Sequence, residues 1–150
     1  MHSSLTVAAF MALLSTHLVR ADWTSLGDPV ASGSCPGGGT VVGPVFDDDA
    51  FDETCDSLVN DGCSGGLVLG QGDLGSAGFA NSDDVDCPTA APSTRDICVQ
   101  MFKDGYGQCA SARSPGEKEN CSIPVMNADG TVVGYLGYTG SCTGPVMPPK

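Results

Sequence analysis

Residues 121–142 read CSIPVMNADGTVVGYLGYTGSC, and this stretch decides the fold. Apolar Ile123, Val125 and Met126 lead into Asn127-Ala128-Asp129-Gly130, after which Thr131 to Tyr138 form a β-branched and aromatic run. Two such runs around an Asp-Gly turn spell a β-hairpin. A lone hairpin is marginal in water, so this one must lie against another surface, with the half-cystines at its two ends helping to hold it there. Tyr135 and Tyr138 project to opposite faces of an unbulged strand, so they cannot build one flat platform, and one of them belongs in the core.

Upstream of the hairpin the apolar spacing changes from two to between three and four. Phe51, Cys55, Leu58 and Val59 fall on one helical face, with Asp47-Asp48-Asp49 before them as N-terminal caps and Asn60-Asp61-Gly62 as a stop. A calcium loop starting at Asp47 would need Gly and Glu where Asp52 and Leu58 stand, so capping is the better reading. Ser93-Thr94 opens a second helix carrying Ile97, Cys98, Met101 and Phe102, with Asp104-Gly105 as its expected stop and a short strand near Gln108 to Ala112 beyond.

Between and before these helices lie short strand signals. Thr40 to Phe46 is broken by Gly43-Pro44 and reads as an edge or bulged strand, Leu67-Val68-Leu69 as a short strand, and Gly78-Phe79-Ala80 as a further candidate. Trp23 to Gly33 reads as an extended segment tied down at Cys35. The glycines at 65, 66, 70 and 72 do not make a phosphate cradle, since no Lys follows and no helix opens there. The expected fold is α+β, a mainly antiparallel sheet with two short disulfide-stapled helices on one face. A mostly β fold with a single helix is the alternative.

The N-terminus sets the expected compartment. Leu5 to Leu14 is an apolar run of signal-peptide length, and Val19-Arg20-Ala21 supplies a cleavage site, so residues 1–21 are read as a leader and 22–150 as one secreted domain with a Pro-rich tail at 143–150. Eight cysteines, at 35, 55, 63, 87, 98, 109, 121 and 142, agree with an oxidising compartment. Cys35, Cys55, Cys63, Cys87, Cys98, Cys109, Cys121 and Cys142 form an even set without a Cys-x-x-Cys pair, which favours four structural disulfides over a zinc or redox centre. Their spacing leaves the pairing open.

Without the leader, five Lys and Arg face 18 acids, a net charge near −13. Such a chain repels phosphate backbones and anionic membranes, so neither nucleic acid nor membrane insertion is expected. Both histidines, His2 and His17, fall in the leader. The mature chain therefore lacks a Ser-His-Asp or Cys-His centre and every His-ligated metal site, and no cofactor is expected. Carboxylate chemistry remains open to it, since some pair among 18 acids will stand about 5 to 9 Å apart by chance. The chain is accordingly expected not to be an enzyme.

The organisation of the chain resembles the small cysteine-rich effectors and elicitors that plant-associated fungi and oomycetes secrete into the apoplast. The residues that carry the resemblance are the leader Met1 to Ala21, the eight cysteines from Cys35 to Cys142, and the two helix-and-strand units around Cys55 and Cys98. The arrangement is also similar to killer-toxin-like and necrosis-inducing-factor α/β scaffolds. This resemblance implies a virulence or immune-modulating role, in which a monomer binds a host extracellular or cell-surface protein. Two further expectations stand beside it: an inhibitor of extracellular hydrolases, with Ser82 to Pro92 or Ser114 to Glu119 as the inserted loop, and a carboxylate-dependent cell-wall-associated enzyme. The residues expected to touch a partner are Asp83, Asp84 and Asp86 in one loop and Glu117, Lys118 and Glu119 in another. Asn120-Cys121-Ser122 matches the N-x-[ST] acceptor pattern for glycosylation at Asn120.

Overall fold

The computed structural model describes residues 22–35, 39–61, 68–71, 75–112 and 118–143. The hairpin forms as its sequence predicts. Strand β6 (Asn120–Met126) pairs antiparallel with β7 (Val132–Thr139), with a register shift after Val125. The turn is held by the side chain of Asn127, whose Oδ1 accepts hydrogen bonds from the backbone N–H of Asp129 and of Thr131, both at 3.0 Å. Gly130 takes the positive φ of 79° that such a turn requires.

Around this hairpin four further strands complete a six-stranded antiparallel sheet. Strand β5 (Ser76–Asn81) pairs with β7, and the two-residue β4 (Val68–Leu69) borders β5. On the other side, β1 (Ser25–Leu26) and β2 (Val30–Ser32) both pair with β6. The N-terminal segment expected to be merely extended is thus an edge of the sheet. It contributes Trp23 to the core, where the indole Nε1 donates to the Ala90 carbonyl at 2.8 Å and the ring meets Phe79. Strand β3 (Thr40–Val42) stops short of Val45-Phe46 and pairs only with β8 (Ser141–Thr143), in a separate two-stranded ladder. Pro44 has no N–H to continue it.

Helix α1 (Asp52–Asp61) buries Cys55 and Leu58, with Phe51 buried just before it; Val59, the fourth residue of the face read from the spacing, is only half-buried. A single turn, α2 (Cys87–Ala90), follows β5. Helix α3 (Arg95–Ala112) starts where Thr94 Oγ1 accepts from the Ile97 N–H at 3.2 Å. It does not stop at Gly105, and the strand expected near Gln108 to Ala112 is its last turns. The reason is tertiary. A Cβ at Gly105 would stand 2.7 Å from the Tyr138 hydroxyl, which donates to the Phe102 carbonyl. Gly105 is a notch that admits Tyr138 to the helix backbone, not a terminator.

The two helices and the inner face of the sheet enclose one core. Ile123, Leu136 and Phe79 form one cross-strand row of it, and Cys121, Tyr138 and Ala77 the next. Phe51 stacks on Phe102 across the helix pair. Three disulfides lock the arrangement: Cys55–Cys98 joins α1 to α3, Cys109–Cys121 joins α3 to β6, and Cys35–Cys142 closes the β3–β8 region across 107 residues. At about 2–4 kcal/mol each, these crosslinks rival the net stability of a small domain. Cys87 bonds to no described cysteine, and Cys63 lies outside the described residues, as do the leader, Glu117 and the tail beyond Thr143.

Candidate functional site

Each strand of this sheet has a second face, and its residues follow from the pairing. Asn120, Thr139 and Ser76 make one outward row, flanked by Ser32 and Leu69. Ser122, Gly137 and Gly78 make the next, with Val30 beside Ser122. Pro124, Tyr135 and Ala80 make the third. None of these positions carries a charge, in a chain of formal net charge −12. Tyr135 is 44% exposed, Val30 64% and Leu69 55%.

The middle row has almost no side chains, so the face is hollowed into a trough of about 420 Å³ lined by residues of β5, β6 and β7 alone. Glycine in a strand weakens it and commonly marks a bulge or a close approach by something else. Gly134 has an internal explanation: a Cβ there would fall 2.3 Å from the Phe79 ring. Gly137 has none among the described residues, where a Cβ would meet nothing within 4 Å. No described residue requires glycine at this position, and the space above it is open among the described residues.

The other side of the molecule is charged. Asp48, Asp49, Asp52, Glu53 and Asp56 line the start and outer side of α1, and Arg95 bridges to Asp52 at 2.7 Å and to Asp56 at 3.6 Å. Asp47 and Glu53 share a cleft of about 530 Å³ between α1 and β4, where Gln71 Nε2 donates to Asp47. Among the described residues no group of three or more His, Cys, Asp or Glu could hold a metal ion.

The residues expected from sequence to touch a partner do not form one site. Asp83, Asp84 and Asp86 are exposed in the loop after β5, at the end of the sheet where Asn81 pairs with Gly134. Lys118 and Glu119 precede β6, at the opposite end, where Asn120 pairs with Thr139. The five residue steps of β5 between these ends span roughly 17 Å, with the trough between them. Sequence reasoning missed the trough because its row comes from three strands. The available signals were the small residues Gly78, Ser122 and Gly137, each at an alternate strand position. Asn120 heads β6 on this same face, with its side-chain oxygen accepting from Thr139 Oγ1 at 3.1 Å.

One titration stands out in the core. Burial pushes the Tyr138 phenol far above its ordinary value near 10, with a smaller opposing effect from a backbone hydrogen bond at Tyr106. This phenol is a structural donor and not an acid available at the surface.

Fold and site together define a small, cysteine-rich, disulfide-stabilised α+β domain with one charged and one uncharged face. The chain matches no family model, and comparisons with curated proteins and with solved structures find no match. Among the described residues no helix is long and apolar enough to cross a membrane.

Proposed function

We propose that this chain is a secreted recognition domain of the effector or elicitor kind, which docks on a host extracellular protein through its bare sheet face. The observation that carries the proposal is the uncharged trough around Gly137, flanked by exposed Tyr135 and lying opposite an acidic helical side. An aromatic anchor beside a shallow apolar depression is the composition favoured at the centre of protein interfaces. The Cys109–Cys121 bridge ties β6 to the helix behind that face, so little ordering entropy is lost on docking. The acidic side supplies solubility and repels unrelated anionic surfaces. The leader and cysteine pattern support export.

The test applies purified oxidised protein to plant tissue and to extracellular fluid immobilised for capture. Wild type is expected to elicit a defence response and to retain one specific partner, while Tyr135→Glu and Gly137→Arg lose at least about tenfold in affinity. Asp83→Asn with Asp84→Asn should retain it. Equal capture by all variants, or no response and no partner in any host, contradicts the proposal.

The cleft holding Asp47 and Glu53 favours one second reading, a carboxylate-dependent enzyme acting on cell-wall polysaccharide. Release of reducing sugar that disappears in both Asp47→Asn and Glu53→Gln would support it. Release that neither substitution changes would count against it.

A further inference from the structure

We propose that the Cys35–Cys142 bridge is a redox-sensitive latch: reduction by a dithiol opens the β3–β8 ladder while the main sheet, the helices and the other two bridges stay in place. The three disulfides differ in access. Cys55, Cys98, Cys109 and Cys121 are each at most 2% exposed and belong to the core. Cys142 is exposed and Cys35 is half-buried. A dissolved thiolate therefore meets the Cys35–Cys142 bridge in the folded chain, whereas the other two come within reach only when the core opens. The segments 29–46 and 130–143 that carry this bridge contain no charged residue, with Glu119 at their border beside Gly33. An anionic thiolate approaches here without the repulsion that the acids of α1 would exert.

The ladder depends on the bridge that closes it. Strands β3 and β8 pair with each other and with no other described strand, from Thr40↔Thr143 to Val42↔Ser141. A two-stranded ladder this short is marginal in water. Neither strand contributes to the core cluster that the helices share with the main sheet, and Val41 is buried apart from it. Once the covalent tie is cut, little else holds β3 on β8.

The opening has fixed limits. Before β3, strand β2 is held on β6 as far as Ser32↔Asn120. After β3, Pro44 is buried and its carbonyl accepts from the Tyr106 hydroxyl, while the Val45 carbonyl accepts from the Gln71 N–H at 2.7 Å. Ahead of β8, the Gly140 N–H donates to the Glu119 carbonyl at 2.8 Å. Each flank of the ladder is thus anchored to parts of the fold that the buried bridges keep. The trough is lined by β5, β6 and β7 and lies outside these limits.

The step is a thiol–disulfide exchange with a dithiol as reductant. Its thiolate attacks Cys142 Sγ, a new S–S bond forms to Cys142, and the bond to Cys35 breaks. Cys35 leaves as a thiolate with the electron pair and takes up a proton. The second thiol of the reagent gives up its proton and attacks the reagent's own sulfur in the mixed disulfide, releasing Cys142, which is protonated in turn. The bridge gains two electrons and the dithiol is oxidised to a disulfide. Opening exposes Val41 and a strand edge, so the reduced domain differs from the oxidised one in what this end can bind and in how readily proteases cut it.

The test uses the oxidised full chain, with thiols already free blocked by N-ethylmaleimide, exposed to dithiothreitol at neutral pH and sampled by iodoacetamide alkylation and peptide mapping. Cys35 and Cys142 should be alkylated at least about tenfold faster than Cys55, Cys98, Cys109 and Cys121. At that stage hydrogen exchange should show the amides of β3 and β8 deprotected relative to the oxidised chain, with those of β6 and β7 unchanged. Cys35→Ser combined with Cys142→Ser should give the same exchange pattern without reductant. If that variant folds poorly, the partially reduced wild type still decides the matter. Reduction of all three bridges at one rate, or ladder amides that stay protected after Cys35 and Cys142 are alkylated, overturns the inference. No partner enters these measurements, so their failure would leave the docking proposal standing.

Discussion

The two faces of one sheet obey different rules. On the inner face every row is filled: Ile123, Leu136 and Phe79 are buried, Gly134 is small because Phe79 occupies its place, and Gly105 on the facing helix is small because Tyr138 does. On the outer face Gly137 is small although no described residue crowds it, and Tyr135 stands exposed although the same strand buries Tyr138. Small residues on the inner face are explained by neighbours in the chain. Those on the outer face are explained by no described neighbour, which is why the candidate site is placed there and not among the more conspicuous acids of α1.

The contrast breaks most visibly at Gly134. Gly134→Val drives two methyl groups into the Phe79 ring and the Ala80 carbonyl, and overpacking of this kind is expected to cost about 3 kcal/mol or more. Urea unfolding of the oxidised protein measures it. A loss below about 0.5 kcal/mol would mean that the inner face is not packed as described.

Next in size is the covalent tie between the helices. Replacing both Cys55 and Cys98 by Ala should lower stability by about 2–4 kcal/mol. Because the bridge lies behind the sheet, the same pair of substitutions should leave ligand contact at Tyr135 unchanged under conditions where the variant is folded. Melting curves together with nitration of Tyr135 would check both halves.

A smaller effect depends on pH. The folded chain holds the Tyr138 proton well beyond the pH at which the unfolded chain releases it, near 10. The resulting stability is fully present below about pH 10 and is lost as the pH rises further, by up to about 1.4 kcal/mol per unit. Tyr138→Phe gives up a buried hydrogen bond to Phe102, worth about 1 kcal/mol at neutral pH, but should flatten the alkaline decline. Parallel declines for the two proteins between pH 10 and 11.5 would contradict the buried placement.

Much of the inner face was legible in the sequence, because its signals are local. The Asn127 to Gly130 turn, the Phe51–Cys55–Leu58 stripe and the Thr94 cap each lie within a few residues of the structure they specify. The α+β class followed from them. What escaped was set by partners distant in the chain. Gly105 looks like a helix stop until Tyr138 is seen beside it, and Ser25–Leu26 and Val30–Ser32 become strands only because β6 offers an edge. The alternation of Tyr135 and Tyr138 was readable, but the choice of Tyr138 as the core member needed the notch at Gly105. The trough was hidden for the same reason: its floor is one residue from each of three strands. The acidic loops were visible from charge alone, and the structure sets them at opposite ends of the sheet.

The central claim, that the bare face is kept open for something other than this chain, is tested most directly by the unfolding free energy of Gly137→Val. If the space above Gly137 is empty in the isolated domain, a β-branched residue should leave stability unchanged or raise it by up to about 1 kcal/mol. A loss of 1 kcal/mol or more in the unglycosylated, unliganded protein would mean that the fold itself requires the glycine, and would contradict the account.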